Sequence, residues 1–210
     1  ELRYLLDLSL KLKAEKKQHV DQRRNIGQNM LMLFEMESTR TRCSFETSAQ
    51  DLGMGTTYLS NSHFGTKETI KDSMRVFSAM YDVIAYRGMD HAQLQEMARE
   101  STIPIINGYT MHEHPTQMLA DFMTLDEVYG REGYKGKTFV YIGRGGACCA
   151  FSYAVACAMF GMNFKFMPEL DWTLTLGNGW NIPLGYIFAI GLMIFCSALT
   201  IWYFKYKKWL

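Results

Sequence analysis

The chain has 210 residues, a formal net charge of +1, 20% charged residues and 48% hydrophobic residues. These averages predict a globular protein with one or two cores, and the near-neutral charge gives no indication of nucleic-acid binding, which needs a concentrated basic face. The five cysteines form neither a C-x-x-C pair nor the framework of a secreted protein, so a reducing cytoplasmic setting is the simplest interpretation.

Helices and strands alternate along the first two thirds of the chain. An amphipathic helix begins at Leu2 and ends in the basic run 11–17. Apolar runs predict strands at 29–34, 56–59, 83–86, 103–106 and 137–142, and helical spacing predicts helices at 41–52, 69–81, 91–101 and 115–129. This alternation predicts an α/β fold, a parallel sheet with flanking helices. The glycine-rich stretch 130–136 predicts a hinge before a second α/β unit.

The turn between the first strand and the following helix has the composition of a phosphate-binding site. Ser38, Thr39, Arg40 and Thr41 supply hydroxyl and guanidinium donors at this turn. The first N–H groups of a helix lack intrahelical partners, and the positive end of its dipole favours an anion. A helix cap followed by solvated arginines is the alternative interpretation of such a string.

Two further polar residues follow apolar strands in the same way. Arg87 comes after the strand 83–86, and His114 follows the next strand along the chain. Because ligands bind at the carboxyl ends of the strands in such sheets, we expect both side chains to approach the turn at Ser38. Taken alone, Arg87 would be a surface ion-pair partner.

Four strings in register resemble the aspartate/ornithine carbamoyltransferase family over residues 1–165, and the ornithine or putrescine branch more than the aspartate branch. They are S-T-R-T-R at 38–42, K-E-T-I-K-D at 67–72, Y-R-G at 86–88 and H-P-T-Q-x-L-A-D at 114–121. The resemblance implies transfer of a carbamoyl group from carbamoyl phosphate to ornithine or putrescine. It assigns phosphate binding to Ser38, Thr39, Arg40 and Thr41.

The resemblance also assigns roles around the carbamoyl group. It places Arg87 across the phosphate and the carbonyl oxygen, His114 on the carbonyl oxygen, and Gln117 on the carbamoyl nitrogen. These assignments suit the donors and acceptors of the three side chains. No cofactor, metal or covalent nucleophile is implied. His112, Glu113 and His114 could suggest a metal site, but three adjacent residues offer too few well-directed ligands, so we predict none.

Members of this family form trimers in which a loop reaches a neighbouring subunit, which makes His63 and Lys67 candidates for an inter-subunit contact. His63 replaces the glutamine usual in ornithine enzymes, and Lys67 could instead lie on a solvated helix face. The string G-R-G-G-A-C-C at 143–149 departs from the family's G-D-G-R-N-N. A dinucleotide site is the alternative for this glycine-rich turn, although the acidic ribose partner is absent. Since strings for the second substrate are missing, we expect a truncated and inactive enzyme.

The end of the chain has the pattern of a membrane segment. Residues 182–204 carry no charge, which is long enough to cross a bilayer core. Aromatic residues flank this stretch, and Lys205, Lys207 and Lys208 follow it. Aromatic belts and the positive-inside bias both predict a transmembrane helix with a cytoplasmic C-terminus. A very apolar core helix is the alternative.

Residues 161–210 resemble the end of CorA-type magnesium channels. The resemblance rests on Gly161, Met162 and Asn163 as an ion-pore signature, on M-P-E-L at 167–170, and on the final K-K-W-L. We therefore predict three parts: a carbamoyl-phosphate-binding domain at 1–130, a truncated start of the amino-acid-binding domain at 131–160, and a CorA-like segment at 161–210. A magnesium-channel fragment and a chimeric reading frame without function are the alternatives to a carbamoyltransferase. A second membrane span over 145–164 is also conceivable.

Overall fold

A computed structural model describes residues 1–60, 64–143, 148–168, 173–175, 181–183 and 195. Its main sheet has four parallel strands in the order β2-β1-β3-β4. The strands are β1 (Asn29–Phe34), β2 (Gly55–Leu59), β3 (Val83–Arg87) and β4 (Ile105–Tyr109). The predicted parallel α/β architecture is therefore confirmed for this part of the chain.

Helices cover both faces of this sheet. The helices of this part of the chain are α1 (Leu2–Lys17), α2 (Thr39–Leu52), α3 (Ile70–Met80), α4 (His91–Glu100) and α5 (Pro115–Tyr129), of which α1 packs against α5. Side chains alternate along a strand, so Leu31 and Leu33 of β1 pack with the core beneath α3 and α4, whereas Met32 and Phe34 pack with α2 on the opposite face. All of β1 except Asn29 is buried, because both faces of the sheet are covered.

The fourth strand lies further along the chain than predicted. The Asn107-Gly108 pair, a common turn signal, lies inside β4 and forms a bulge, since Tyr86 pairs with Asn107 while Arg87 pairs with Tyr109. A Cβ at Gly108 would lie 3.0 Å from the Tyr86 carbonyl oxygen, so the close approach of the two backbones favours glycine. After the bulge, the pairing of β4 with β3 continues to Arg87, the last residue of β3.

A second parallel unit follows. Strands β5 (Thr138–Gly143) and β6 (Asn163–Pro168) pair with each other, and α6 (Cys148–Phe160) connects them. Two short antiparallel strands, β7 (Thr173–Thr175) and β8 (Asn181–Pro183), come after them. Helices α1, α5 and α6 share one apolar core with the 130–136 segment, in which Tyr134 is fully buried.

The conceivable membrane span at 145–164 is wrong. Of this stretch, 148–160 forms the 13-residue helix α6, and β6 begins at Asn163. Gly161, at φ 68°, makes the turn between helix and strand, a backbone conformation suited to glycine. Residues 161–163, the proposed pore signature, therefore form the turn after α6 and the first residue of β6.

Within the part of the chain that the structure describes, no helix combines the length and apolar character needed to cross a membrane. The predicted transmembrane helix at 182–204 lies outside the described residues, except for 182 and 183, which belong to β8, and residue 195.

Candidate active site

The carboxyl ends of β1, β3 and β4 meet at one edge of the main sheet. The amino-terminal ends of α2 and α5 lie beside them and complete a cleft of about 610 Å³, in the size range of small-molecule sites. Its lining consists of Met30, Ser38, Arg40, Thr41, Ser44, Phe45, Ser48, Leu52, Arg87, Ile106, His114, Thr116, Gln117 and Ala120. Six of the seven residues predicted to bind carbamoyl phosphate line this cleft; Thr39 does not.

The start of α2 presents donors to the cleft. Ser38 has extended backbone angles and caps the helix, and its hydroxyl donates to the Thr41 hydroxyl at 2.9 Å. The helix begins at Thr39, two residues earlier than predicted, so Arg40 and Thr41 lie in its first turn. Unpaired N–H groups and the positive end of the dipole therefore face the same space as the guanidinium of Arg40.

Arg42 lies outside this cleft, although it belongs to the same polar string. Its guanidinium donates to Glu46 at 2.9 Å and lies 3.8 Å from the centre of the Tyr58 ring. These two contacts hold the Arg42 side chain on the surface of α2. Arg40 and Arg42 are both exposed arginines on one helix, but only Arg40 is available to a ligand in the cleft.

Arg87 brings a guanidinium to the cleft from the end of β3. Its central carbon lies 4.4 Å from the centre of the Tyr109 ring, an arrangement that stabilises a cation. Its Nε is buried without a hydrogen-bond partner, and the same holds for both side-chain polar atoms of Asn107 on β4. Unsatisfied buried polar atoms destabilise a fold. The bulged edge of the sheet therefore holds polar atoms of Arg87 and Asn107 that no hydrogen bond within the protein satisfies.

His114 caps the start of α5 and faces Arg87 across the cleft. Its backbone N–H donates to the Ser152 hydroxyl at 3.0 Å, and its Nδ1 lies 3.2 Å from the Thr116 hydroxyl. Burial, and next the positive charge of Arg87, lowers the pKa of His114 below its ordinary value of 6.5. The imidazole is therefore neutral at pH 7 and carries one N–H that can donate to a developing oxyanion.

Gln117 is held one turn further along α5. Its amide nitrogen donates to Asp121 at 3.1 Å, and Asp121 also accepts a hydrogen bond from the Tyr153 hydroxyl. Because the amide nitrogen is engaged with the carboxylate, the amide oxygen is left as an acceptor. This orientation suits a ligand that carries an N–H group.

Sequence reasoning missed four polar or aromatic residues of the lining: Ser44, Phe45, Ser48 and Thr116. Ser44 and Ser48 lie one and two helical turns after Arg40, so the i, i+4 spacing of polar residues on α2 could have revealed them. Of the two inter-subunit candidates, Lys67 is exposed and does not line the cleft, and His63 lies outside the described residues.

Comparisons with known proteins agree with this geometry. A family model described as "Aspartate/ornithine carbamoyltransferase, carbamoyl-P binding domain" matches residues 1–127. A catabolic ornithine carbamoyltransferase of Treponema denticola is 46% identical over 166 residues, which are 78% of this chain and 48% of the relative. A catabolic ornithine carbamoyltransferase 1 of Staphylococcus epidermidis is 43% identical over 185 residues, 86% of this chain and 55% of the relative.

Solved structures show the same fold. The ornithine carbamoyltransferase of Pyrococcus furiosus matches with a TM-score of 0.75 and 34% identity, covering 79% of this chain and 53% of that protein. The enzyme from Burkholderia thailandensis matches with a TM-score of 0.75 and 30% identity, covering 79% and 57%. The chain thus spans about half the length of the relatives it matches.

The resemblance of residues 161–210 to magnesium channels finds no support in these comparisons. The relative from Staphylococcus epidermidis instead matches 86% of this chain, and the described start of the segment is the turn and strand that complete a parallel α/β unit. The chain belongs to the aspartate/ornithine carbamoyltransferase family, and residues 1–127 match the carbamoyl-P binding domain of that family.

Proposed function

We propose that the cleft binds carbamoyl phosphate and that the protein acts in transfer of the carbamoyl group to an amine. The observation that carries this proposal is the convergence of the α2 amino terminus, Arg40, Arg87 and a neutral His114 on one cleft. Phosphate binding needs anion donors, whereas carbamoyl activation needs a donor to the carbonyl oxygen. The lining of the cleft contains both kinds of group.

The proposed reaction is displacement at a carbonyl carbon. A neutral amine attacks this carbon, a C–N bond forms, the bond from carbon to the phosphate oxygen breaks, and the proton that the amine loses passes to the departing phosphate. Negative charge grows on the carbonyl oxygen and on the departing phosphate. Fixed donors aimed at this charge lower the barrier, so Arg87 and His114 stabilise the oxyanion while Ser38, Arg40 and Thr41 hold the phosphate.

Gln117 orients the carbamoyl group in this scheme. Its free amide oxygen accepts an N–H of the carbamoyl nitrogen, and its contact with Asp121 fixes the amide. A ligand held at both its phosphate and its nitrogen presents one face of the carbonyl carbon to the amine. Correct orientation of this kind accounts for much of the rate of a bimolecular reaction.

Ornithine is the acceptor that the names of the relatives support, and putrescine is the alternative from the sequence resemblance. The segment expected to contact the acceptor departs from the family at 143–149, and residues 144–147 lie outside the described part. Transfer by this chain alone therefore stays a proposal, as do trimer formation and the contacts of His63 and Lys67.

Isothermal titration of carbamoyl phosphate into the full chain tests the binding proposal. Replacing Arg40 by alanine removes a charged donor, and charge-assisted hydrogen bonds contribute about 1.5–3 kcal/mol. We expect the dissociation constant to rise roughly 10- to 150-fold, since about 1.4 kcal/mol corresponds to tenfold. Arg42→Ala is the matched control, because Arg42 points away from the cleft on the same helix.

The expected result is saturable binding by the wild type and by Arg42→Ala, with a large loss in Arg40→Ala. Equal affinity of the two variants would contradict the assignment of the cleft. Circular dichroism of each variant checks that α2 is folded, which separates loss of a ligand contact from loss of the helix.

A further inference from the structure

A second group of ligating side chains lies beside the cleft and is not used in the proposed reaction. It consists of His91 at the start of α4 together with His112 and Glu113 in the connection between β4 and α5. Each residue offers one ligand atom, and these atoms lie within 4.8 Å of one another. In the described part of the chain, the fold thus gathers two imidazoles and one carboxylate at a single point.

His91 is held in a defined orientation. Its Nδ1 lies 3.0 Å from the hydroxyl oxygen of Thr110, a fully buried residue. The same oxygen accepts the backbone N–H of Glu113 at 3.2 Å and lies 3.4 Å from the Glu113 carbonyl oxygen. A hydroxyl that donates to this carbonyl accepts the Nδ1–H of His91, which leaves the lone pair on Nε2. Metal-bound histidines are commonly oriented by such a contact at the other nitrogen.

His112 and Glu113 complete the group from the connecting loop. The Nδ1 of His112 lies 3.6 Å from a Glu113 carboxylate oxygen, and the His112 ring stacks on that of His91 with centres 4.8 Å apart. In a tetrahedral zinc site the ligand atoms lie about 3.3–3.6 Å apart, given metal–ligand distances of about 2.0–2.2 Å. Rotation of the His112 and Glu113 side chains can bring the ligand atoms, now up to 4.8 Å apart, to this spacing. Both side chains have room to rotate, since that of His112 is 53% exposed and that of Glu113 is 35% exposed.

The backbone around the group is fixed independently of any ligand. Thr110 and Glu113 form a reciprocal turn, with the Thr110 N–H donating to the Glu113 carbonyl at 2.9 Å. The Met111 N–H donates to the Met89 carbonyl at 3.1 Å, which joins this turn to the loop before α4. The two segments that supply the ligands therefore keep a constant spacing.

We propose that His91, His112 and Glu113 form a binding site for a borderline divalent cation such as Zn²⁺. Imidazole nitrogens favour zinc and its neighbours in the transition series, whereas Mg²⁺ and Ca²⁺ take oxygen ligands. Three protein ligands leave a coordination position for water. The adjacent residues 112–114 alone could not make this site; α4 supplies the third ligand, because His114 lies in the cleft.

Titration of Co²⁺ into the chelator-stripped full chain, followed by its visible absorption, tests this site. The wild type is expected to take up one equivalent with the spectrum of a low-symmetry, nitrogen- and oxygen-ligated ion. His112→Gln and Glu113→Gln are expected to weaken this binding at least about tenfold. Loss of a residue that only hydrogen-bonds to a metal ligand already weakens metal binding about 10- to 100-fold. His19→Asn is the matched control, since His19 is exposed at the end of α1, away from this group, and asparagine tolerates its left-handed backbone.

Thiols are the competing ligands, because the sulfur atoms of Cys148 and Cys149 lie 3.8 Å apart. A Cys148→Ser/Cys149→Ser variant is therefore titrated in parallel and is expected to bind like the wild type. The proposal is overturned if His112→Gln and Glu113→Gln keep wild-type affinity, if the cysteine variant loses the bound ion, or if the folded wild type takes up none. Carbamoyl phosphate binding is not needed for any of these outcomes, so the test is independent of the proposed function.

Discussion

Arg87 carries a charge that the ligand-free fold leaves poorly satisfied, so its removal should change stability and binding in opposite directions. Its Nε is buried without a partner, and its central carbon lies 4.4 Å from the centre of the Tyr109 ring. Arg87→Met keeps an apolar stem of similar length, and the thioether can pack against the same ring. The variant loses the anion-binding group without opening a large cavity.

The magnitudes follow from the contacts. An unsatisfied buried donor costs about 1–3 kcal/mol, and a cation–π contact of this kind contributes about 0.5–1 kcal/mol. The free energy of unfolding without ligand should therefore stay equal or rise by up to about 2.5 kcal/mol. Loss of a charge-assisted contact weakens ligand binding by about 1.5–3 kcal/mol, which is roughly 10- to 150-fold.

Urea unfolding with and without carbamoyl phosphate measures both effects. At a ligand concentration about 100 times the dissociation constant, the wild type gains about 2.7 kcal/mol. At the same concentration the variant should gain only about 0.3–1.4 kcal/mol, from its weaker binding. A ligand-free variant less stable than the wild type by more than about 1 kcal/mol would refute the argument from the unsatisfied donor. An unchanged gain with ligand would refute the role of Arg87 in anion binding.

Two further predictions concern His114 and the first helix. Burial lowers the pKa of His114 below 6.5, so in acid the unfolded chain takes up a proton at a pH where the imidazole of the folded chain stays neutral. The free energy of unfolding should therefore decrease as the pH is lowered below 6.5. Urea unfolding across this range should show a smaller decrease for His114→Asn than for the wild type, and an equal decrease in the two proteins would contradict the prediction. Arg3 pairs with Asp126 at 2.8 Å, and the Asp126 side chain is 2% exposed, so Arg3→Leu should cost about 3 kcal/mol or more by leaving a buried charge unpaired. Thermal unfolding checks this against Lys13→Leu, which breaks the exposed pair with Glu127 and should cost less than about 1 kcal/mol; equal losses would show that burial of the pair is unimportant.

The order of elements could be predicted from the sequence because the apolar periodicities are strong. The run 29–34 is apolar after its first residue and forms the central strand β1, buried on both faces as its composition indicates. The position of β4 could not be predicted, because an Asn-Gly pair indicates a turn in isolation. Only the backbone of the neighbouring β3 shows why glycine is favoured within the strand at residue 108.

The sequence alone could predict those residues of the site that come soon after a strand. Arg87 and His114 were placed by the rule that ligands bind at the carboxyl edge of a parallel sheet, and both line the cleft. Thr39 is the one phosphate-binding candidate that does not line the cleft, because a residue next to a helix cap points in a direction set by the helix and not by its polarity. The group at His91 escaped prediction because His91 lies 21 positions before His112 in the sequence, and no local pattern joins them.

The second α/β unit takes part in building the cleft. Ser152 of α6 accepts the backbone N–H of His114, and Tyr153 donates to Asp121, the residue that holds Gln117. The side chains assigned to the carbamoyl group thus depend on α6, whereas the phosphate donors of α2 have no such contact among the described residues. Changes in α6 should therefore affect orientation of the carbamoyl group more than capture of the phosphate, because orientation requires the fixed imidazole and amide while capture requires only the anion donors. A sequence division placed at residue 130 separates two parts of the chain that jointly position His114 and Gln117.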